Sequence, residues 1–243
     1  MRKFLLLCTM VLAYMSVYAK IYVVIAGVSD YPGSDMDLLY QDNDARVMRD
    51  LYKKNGNSRI ITLTDSIATT RSVLANLSVE FSKATANDAI VFYFSGHGYP
   101  GGFWCYDGYI TYPQIIDIMK KSKAKNRILF ADACYSGKAR YTPERVDKKH
   151  DYNIMFFLSS RTKETSLQFR SMKNSLFTTY LNLGMRGKAD ANRDSLISAR
   201  ELFDYVHTNL SARSNNQYYQ HPVMWGNFDD NMIVMDWRRK KKK

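Results

Sequence analysis

AIVFYFSGHG at Ala89–Gly98 and RILFADACYSG at Arg127–Gly137 decide how this chain is read. In each, an apolar run rich in β-branched and aromatic residues breaks off at a loop of small and polar residues. That is the pattern of a strand buried on both faces and opening into a tight turn. Between the two, Thr111–Ser122 has room for one amphipathic helix with Ile115, Ile116 and Met119 on one face. Strand, helix and strand in this order predict two parallel strands side by side in an α/β fold. Ligands of open α/β sheets sit outside the carboxyl ends of the strands, so His97 and Cys134 are expected to emerge at one edge. An isolated cysteine, with a pKa of about 8.5, is only slightly ionised at neutral pH, whereas a neighbouring imidazole can take or balance its proton. Cys134 is therefore the candidate nucleophile and His97 its base, which would later protonate a leaving amine. Taken singly, His97 could be a strand-end histidine held by backbone and Cys134 a small buried hydrophobe.

Upstream of this unit, Lys20–Val28 reads as a buried strand ending at Gly27, Ser29 and Asp30. A helix is expected to begin near Asp42, with Asp42, Asn43 and Asp44 supplying an N-cap and early acidic charge, and with Val47, Met48, Leu51 and Tyr52 facing the core. Arg59–Asp65 is a second strand, and Thr70–Ala84 a helix introduced by Thr69 or Thr70. Downstream, Lys138–Asp151 is polar and contains Pro143, which predicts an exposed loop. Asn153–Ser160 (NIMFFLSS) is a further buried strand. Ser175–Gly184 is a helix closed by its glycine, and short strands are expected near Gln220–Gly226 and Met232–Trp237.

Asp190–Glu201 (DANRDSLISARE) sets Asp190, Asn192, Asp194, Ser198 and Glu201 at ligand positions of an EF-hand-like calcium loop. Ser195 stands where such loops need glycine for their sharp turn, so a hydrogen-bonded turn with Ser198 capping the next helix is the preferred reading. Calcium is left open there as an optional ion, and no cofactor is required.

The chain begins with Arg2 and Lys3, an apolar core from Phe4 to Val17, and Val17-Tyr18-Ala19, the pattern of a secretory signal cleaved after Ala19. The apolar stretch is short for a bilayer, so no transmembrane segment is expected in the mature chain, and the protein is expected to be periplasmic or secreted. Losing residues 1–19 removes two of the +12 formal charges and leaves two cysteines, too few for a disulfide scaffold. Cys105, between Trp104 and Tyr106, reads as a packed apolar side chain. With 46% hydrophobic residues and no Pro, Gly or Ser-rich linker, residues 20–237 are expected to form one domain and a monomer. Residues 238–243 (RRKKKK) cannot pack and read as a solvated basic tail. No basic and aromatic motif accompanies it, so no specific nucleic-acid partner is expected.

The motifs FSGHG and DACYSG, in this order and with a helix-sized gap, resemble the caspase-like cysteine peptidases, and the metacaspase and bacterial branch more than animal caspases. The similarity extends to IYVVIAGVSDY (Ile21–Tyr31), QDNDA (Gln41–Ala45), SSR, SLFTTYL and ELFDYV (Glu201–Val206), which is nearly the whole mature chain. It implies a three-layer caspase-like fold, with a mostly parallel central sheet flanked by helices, and a thiol endopeptidase acting through a His97/Cys134 dyad. It also implies an oxyanion site built from the backbone N–H groups of Gly98 and Cys134. Asp132, two residues before Cys134, shares its side of the strand. By the same resemblance, Asp132 and Asp44 form an acidic pocket for Arg or Lys, so the expected partners are peptide or protein substrates with basic residues. Metacaspases frequently take calcium through acids after their His loop, but that interval holds only Asp107. Linkers after the nucleophile strand are common processing sites in such families, which makes Lys138, Arg140, Arg145, Lys148 and Lys149 candidates for self-cleavage. The competing reading is an inactive caspase-like scaffolding module.

Overall fold

A computed structural model describes residues 20–133, 153–160, 173–213 and 220–238. Its centre is a six-stranded sheet made of β1 (Ile21–Gly27), β2 (Ser58–Thr64), β3 (Ala89–Ser95), β7 (Asn126–Asp132), β8 (Ile154–Leu158) and β10 (Val223–Asn227). The spatial order is β10-β8-β7-β3-β1-β2, with β10 antiparallel to β8 and every other neighbouring pair parallel. β3, β7 and β8 are buried along almost their whole length, which is why their sequences are continuously apolar instead of alternating.

Period-two side-chain geometry divides that apolar content between two cores. Val24, Phe92, Leu129 and Phe156 face α2 (Thr70–Phe81) and α3 (Tyr112–Lys121). Val23, Val91, Ile128 and Phe157 face α1 (Gln41–Asn55), α4 (Leu176–Leu183) and α5 (Ala199–Ser211). The result is three layers, as expected. From β1 the chain moves to β2 through α1, and from β3 to β7 through α3, in opposite directions along the sheet. The carboxyl ends of β1 and β3 therefore flank the switch point, where ligands of such sheets bind.

Several helix starts follow from local chemistry. Thr111 caps α3 with a full capping box to Gln114, and Thr69 caps α2 through the Ser72 N–H. The start of α1 differs from expectation. None of Asp42, Asn43 and Asp44 is its cap: all three lie inside the first turn, and Tyr40 at the cap position offers no side-chain bond. The cap comes from β1's loop instead, where Ser29 Oγ accepts the Asp42 N–H at 2.9 Å and donates to Asp42 Oδ1 at 2.9 Å. α1 lies so close to β1 that a Cβ on Gly27 would sit 2.2 Å from the Gln41 carbonyl oxygen, so the glycine is what admits the helix.

α4 also departs from its expected end. Gly184 keeps right-handed helical angles and the chain winds on through a wider turn over Gly184–Lys188, closed by Gly187 with a φ of 112°. A glycine stops a helix only when it adopts left-handed angles. The segment between His97 and α3, for which no structure was expected, is a three-stranded antiparallel sheet: β4 (Gly98–Tyr99), β5 (Gly102–Cys105) and β6 (Gly108–Thr111). A second small sheet pairs β9 (Leu196–Ser198) with β11 (Ile233–Asp236). Among the described residues no helix is long and apolar enough to cross a membrane.

Candidate active site

The register of β3 on β7 pairs Ser95 with Asp132, and the Gly96 N–H donates to the Asp132 carbonyl at 3.2 Å. The strands that precede His97 and Cys134 thus end side by side at the same level. Cys134 itself lies outside the described residues, as do Lys138, Arg140, Arg145, Lys148 and Lys149.

His97 is half-buried and is held by the loop that follows β1. Its ring Nε2 lies 2.7 Å from the carbonyl oxygen of Met36, in the short turn Ser34–Met36. A carbonyl can only accept, so Nε2 carries the hydrogen and the lone pair of the neutral ring is on Nδ1. Nδ1 is thus the basic nitrogen left for chemistry. On the backbone side, the His97 N–H donates to the Tyr31 hydroxyl at 3.0 Å, that hydroxyl donates to the Trp104 carbonyl at 3.0 Å, and the Trp104 N–H donates to the His97 carbonyl at 2.9 Å. The Tyr31 ring stands 4.9 Å from the imidazole, centroid to centroid. Burial pushes the Tyr31 hydroxyl well above its ordinary range, so it stays protonated. Gly96 precedes His97 at the turn that leaves β3. A Cβ there would meet the Tyr31 hydroxyl and the Phe94 ring, each at 2.8 Å, so the glycine makes room for the protein's own side chains. Gly98 is the first residue of β4, half-buried and paired with Phe103.

Asp44 and Asp132 are brought together within a buried hydrogen-bond network. Asp44 is wholly buried and Asp132 is 3% exposed. Asp44 Oδ1 accepts from Asn174 Nδ2 at 3.0 Å and from the Ser175 N–H at 3.1 Å, and Oδ2 accepts from Ser95 Oγ at 2.9 Å. Ser175 Oγ lies 2.5 Å from Asp44 Oδ2 and also bonds Asp132 Oδ2. The N–H and hydroxyl of Thr178 donate to that same Asp132 oxygen at 3.1 Å and 2.8 Å. Both carboxylates therefore sit at the amino end of α4, where free N–H groups and the helix dipole favour negative charge. Burial, and after it the charge of Asp132, nevertheless push the Asp44 carboxyl up to about 7, against the hydrogen bonds from Ser175, Asn174 and Ser95.

The other expected candidates have structural duties. Asp190 accepts the N–H groups of Asp194 and Ser195, Asp194 accepts that of Leu196, and Glu201 completes a capping box with Ser198 at the start of α5. Ser195 does take the left-handed turn that its position demands, at a φ of 66°. The described residues contain no group of three or more His, Cys, Asp or Glu side chains able to hold a metal. Asp107 accepts the first N–H of α2, from Thr70, at 2.7 Å. Cys105 is a buried free thiol, which burial and then the charge of Asp107 push up to about 12. Arg238 pairs with Asp236 at 2.6 Å, and residues 239–243 of the basic tail lie outside the described residues.

Sequence reasoning did not assign roles to Tyr31, Met36, Ser95, Asn174, Ser175 or Thr178. Only Ser175 and Thr178 left a signal, since residues three apart share one helix face at the head of SLFTTYL. Met36 acts through its backbone, which no side-chain pattern can announce.

Solved structures show the same fold. Caspase-1 from Spodoptera frugiperda superposes with a TM-score of 0.72 at 10% identity, over 92% of this chain and 92% of that one. Protein GSU0716 from Geobacter sulfurreducens gives 0.63 at 16% identity, over 85% of this chain and 92% of that one. No curated protein matches the chain. The caspase-domain family of C14 peptidases matches residues 20–232, and the chain belongs to that family of cysteine-type peptidases.

Proposed function

We propose that this protein is an exported cysteine endopeptidase of metacaspase type that cleaves peptide bonds after Arg or Lys. The observation that carries the reading is convergence at one sheet edge: β3 and β7 end at the paired residues Ser95 and Asp132, with His97 two residues past the first and Asp44 bonded to Ser95. In this mechanism Cys134 loses its proton to Nδ1 of His97 and its sulfur attacks the carbonyl carbon of the scissile bond. The N–H groups of Gly98 and Cys134 receive the developing oxyanion. His97 then returns the proton to the leaving amine, which an amide needs in order to depart, and water hydrolyses the remaining thioester. The Met36 carbonyl keeps the imidazole in the required tautomer.

Asp44 and Asp132 support the preference for a basic residue, because two carboxylates buried side by side form a strongly negative site that favours a cation. The polar segment 138–151 supports self-processing after one of its five Lys and Arg residues, since cleavage needs an extended, accessible stretch. Two matched fluorogenic peptides, differing only in Arg or Asp before the reporter bond, test the reading. Hydrolysis of the Arg peptide, lost in both Cys134→Ala and His97→Ala, is the expected result. Preference for the Asp peptide would overturn the specificity, and full activity in either variant would overturn the dyad.

A further inference from the structure

The loop from Ser29 to Leu38 grips His97 at two points, and only Met36 hydrogen-bonds the ring, although the Tyr31 ring also packs against it. Met36 accepts from Nε2, while Tyr31 holds the residue's own N–H and, through the same hydroxyl, the Trp104 carbonyl. Because Trp104 bonds back to the His97 carbonyl, His97 is clamped through both of its backbone polar groups. Tyr31 is itself fixed. Its N–H donates to Asp37 Oδ1 at 3.1 Å, the Leu38 N–H bonds the Ser29 carbonyl at 2.8 Å, and the side chain is 4% exposed. Gly96, the residue before His97, leaves the space its hydroxyl occupies.

We propose that Tyr31 is a positioning residue for catalysis: its hydroxyl sets the backbone of His97 so that the imidazole meets the Met36 carbonyl with Nε2 and offers Nδ1 toward the nucleophile. The proposal rests on the dyad reading above. The hydroxyl is kept protonated by burial and takes no part in proton transfer. Its contribution is orientation, and even a small misplacement of a catalytic group slows the reaction steeply.

Tyr31→Phe in the full chain keeps the ring and removes the hydroxyl. Two readings are taken: kcat and KM on the Arg peptide, and the pH profile of Cys134 alkylation by iodoacetamide, followed by mass mapping to separate it from Cys105. The expected result is a kcat lower by about tenfold with KM within about twofold. The alkylation profile should also move toward that of an ordinary thiol, at about 8.5. A change confined to thermal stability, with kcat and the profile as in the parent, overturns the proposal. The profile needs no substrate, so the two levels separate. An ordinary profile in the parent protein refutes the dyad, whereas a shifted profile common to parent and variant refutes only the role of Tyr31.

Discussion

Asp44 and Asp132 meet at one hydroxyl, Ser175 Oγ, which lies against an oxygen of each carboxylate. A hydroxyl carries one hydrogen and can donate it to only one of them. The other contact is satisfied when that carboxyl is protonated and donates to the serine oxygen. Burial and mutual repulsion, which raise Asp44, act in the same direction. The shared hydroxyl therefore favours one proton held within the pair.

Ser175→Ala removes the shared donor and leaves two buried carboxylates short of a partner. A loss of about 1–3 kcal/mol is expected from the penalty of an unsatisfied buried polar group. Urea midpoints at neutral pH measure it. Unchanged stability would mean that the hydroxyl is not the link between the two acids.

Asp44→Asn should change how stability depends on pH. Folding raises the Asp44 carboxyl from 3.8 to about 7, so between those values the native state holds a proton that the unfolded chain has released. Its stabilising contribution is complete below 3.8 and is lost as the pH rises through about 7. Asparagine imitates the protonated form, so the variant should gain on the parent across that window, by at most about 1.4 kcal/mol per pH unit. Paired denaturation series from about pH 4 to about pH 8 check this. A parent-variant difference that stays constant with pH would contradict the raised Asp44.

Chelation should leave the fold untouched. The carboxylates of Asp190, Asp194 and Glu201 are used on N–H groups of their own turn. Treatment with excess EDTA is expected to give the same Tm as added calcium. A calcium-dependent rise of several degrees would reinstate the turn as an ion site.

Much of this architecture was legible because burial writes itself into composition. The apolar runs ending at Ser95 and Asp132 announced two central strands, and the break after the first announced the loop that carries His97. The Thr111 cap and the Ser198 cap were readable because capping is local. The start of α1 was misjudged because Ser29, which caps it, lies on the preceding loop, and long-range caps have no fixed spacing. The sheet formed by β4, β5 and β6 was missed because its strands are very short and rich in glycine, giving neither periodicity nor a run. In the site, acids were visible as acids. Ser95 and Tyr31 were not, because a serine or tyrosine gains its role only from what the fold brings to its hydroxyl.

Mass mapping of the bonds cut in a mixed peptide library, by the full chain and by Cys134→Ala in parallel, tests the central claim most directly. The expected result is cleavage after Arg and Lys by the parent and none by the variant. Cuts falling mainly after Asp or apolar residues, or the same cuts from both proteins, would contradict a Cys134/His97 endopeptidase served by the Asp44 and Asp132 pair.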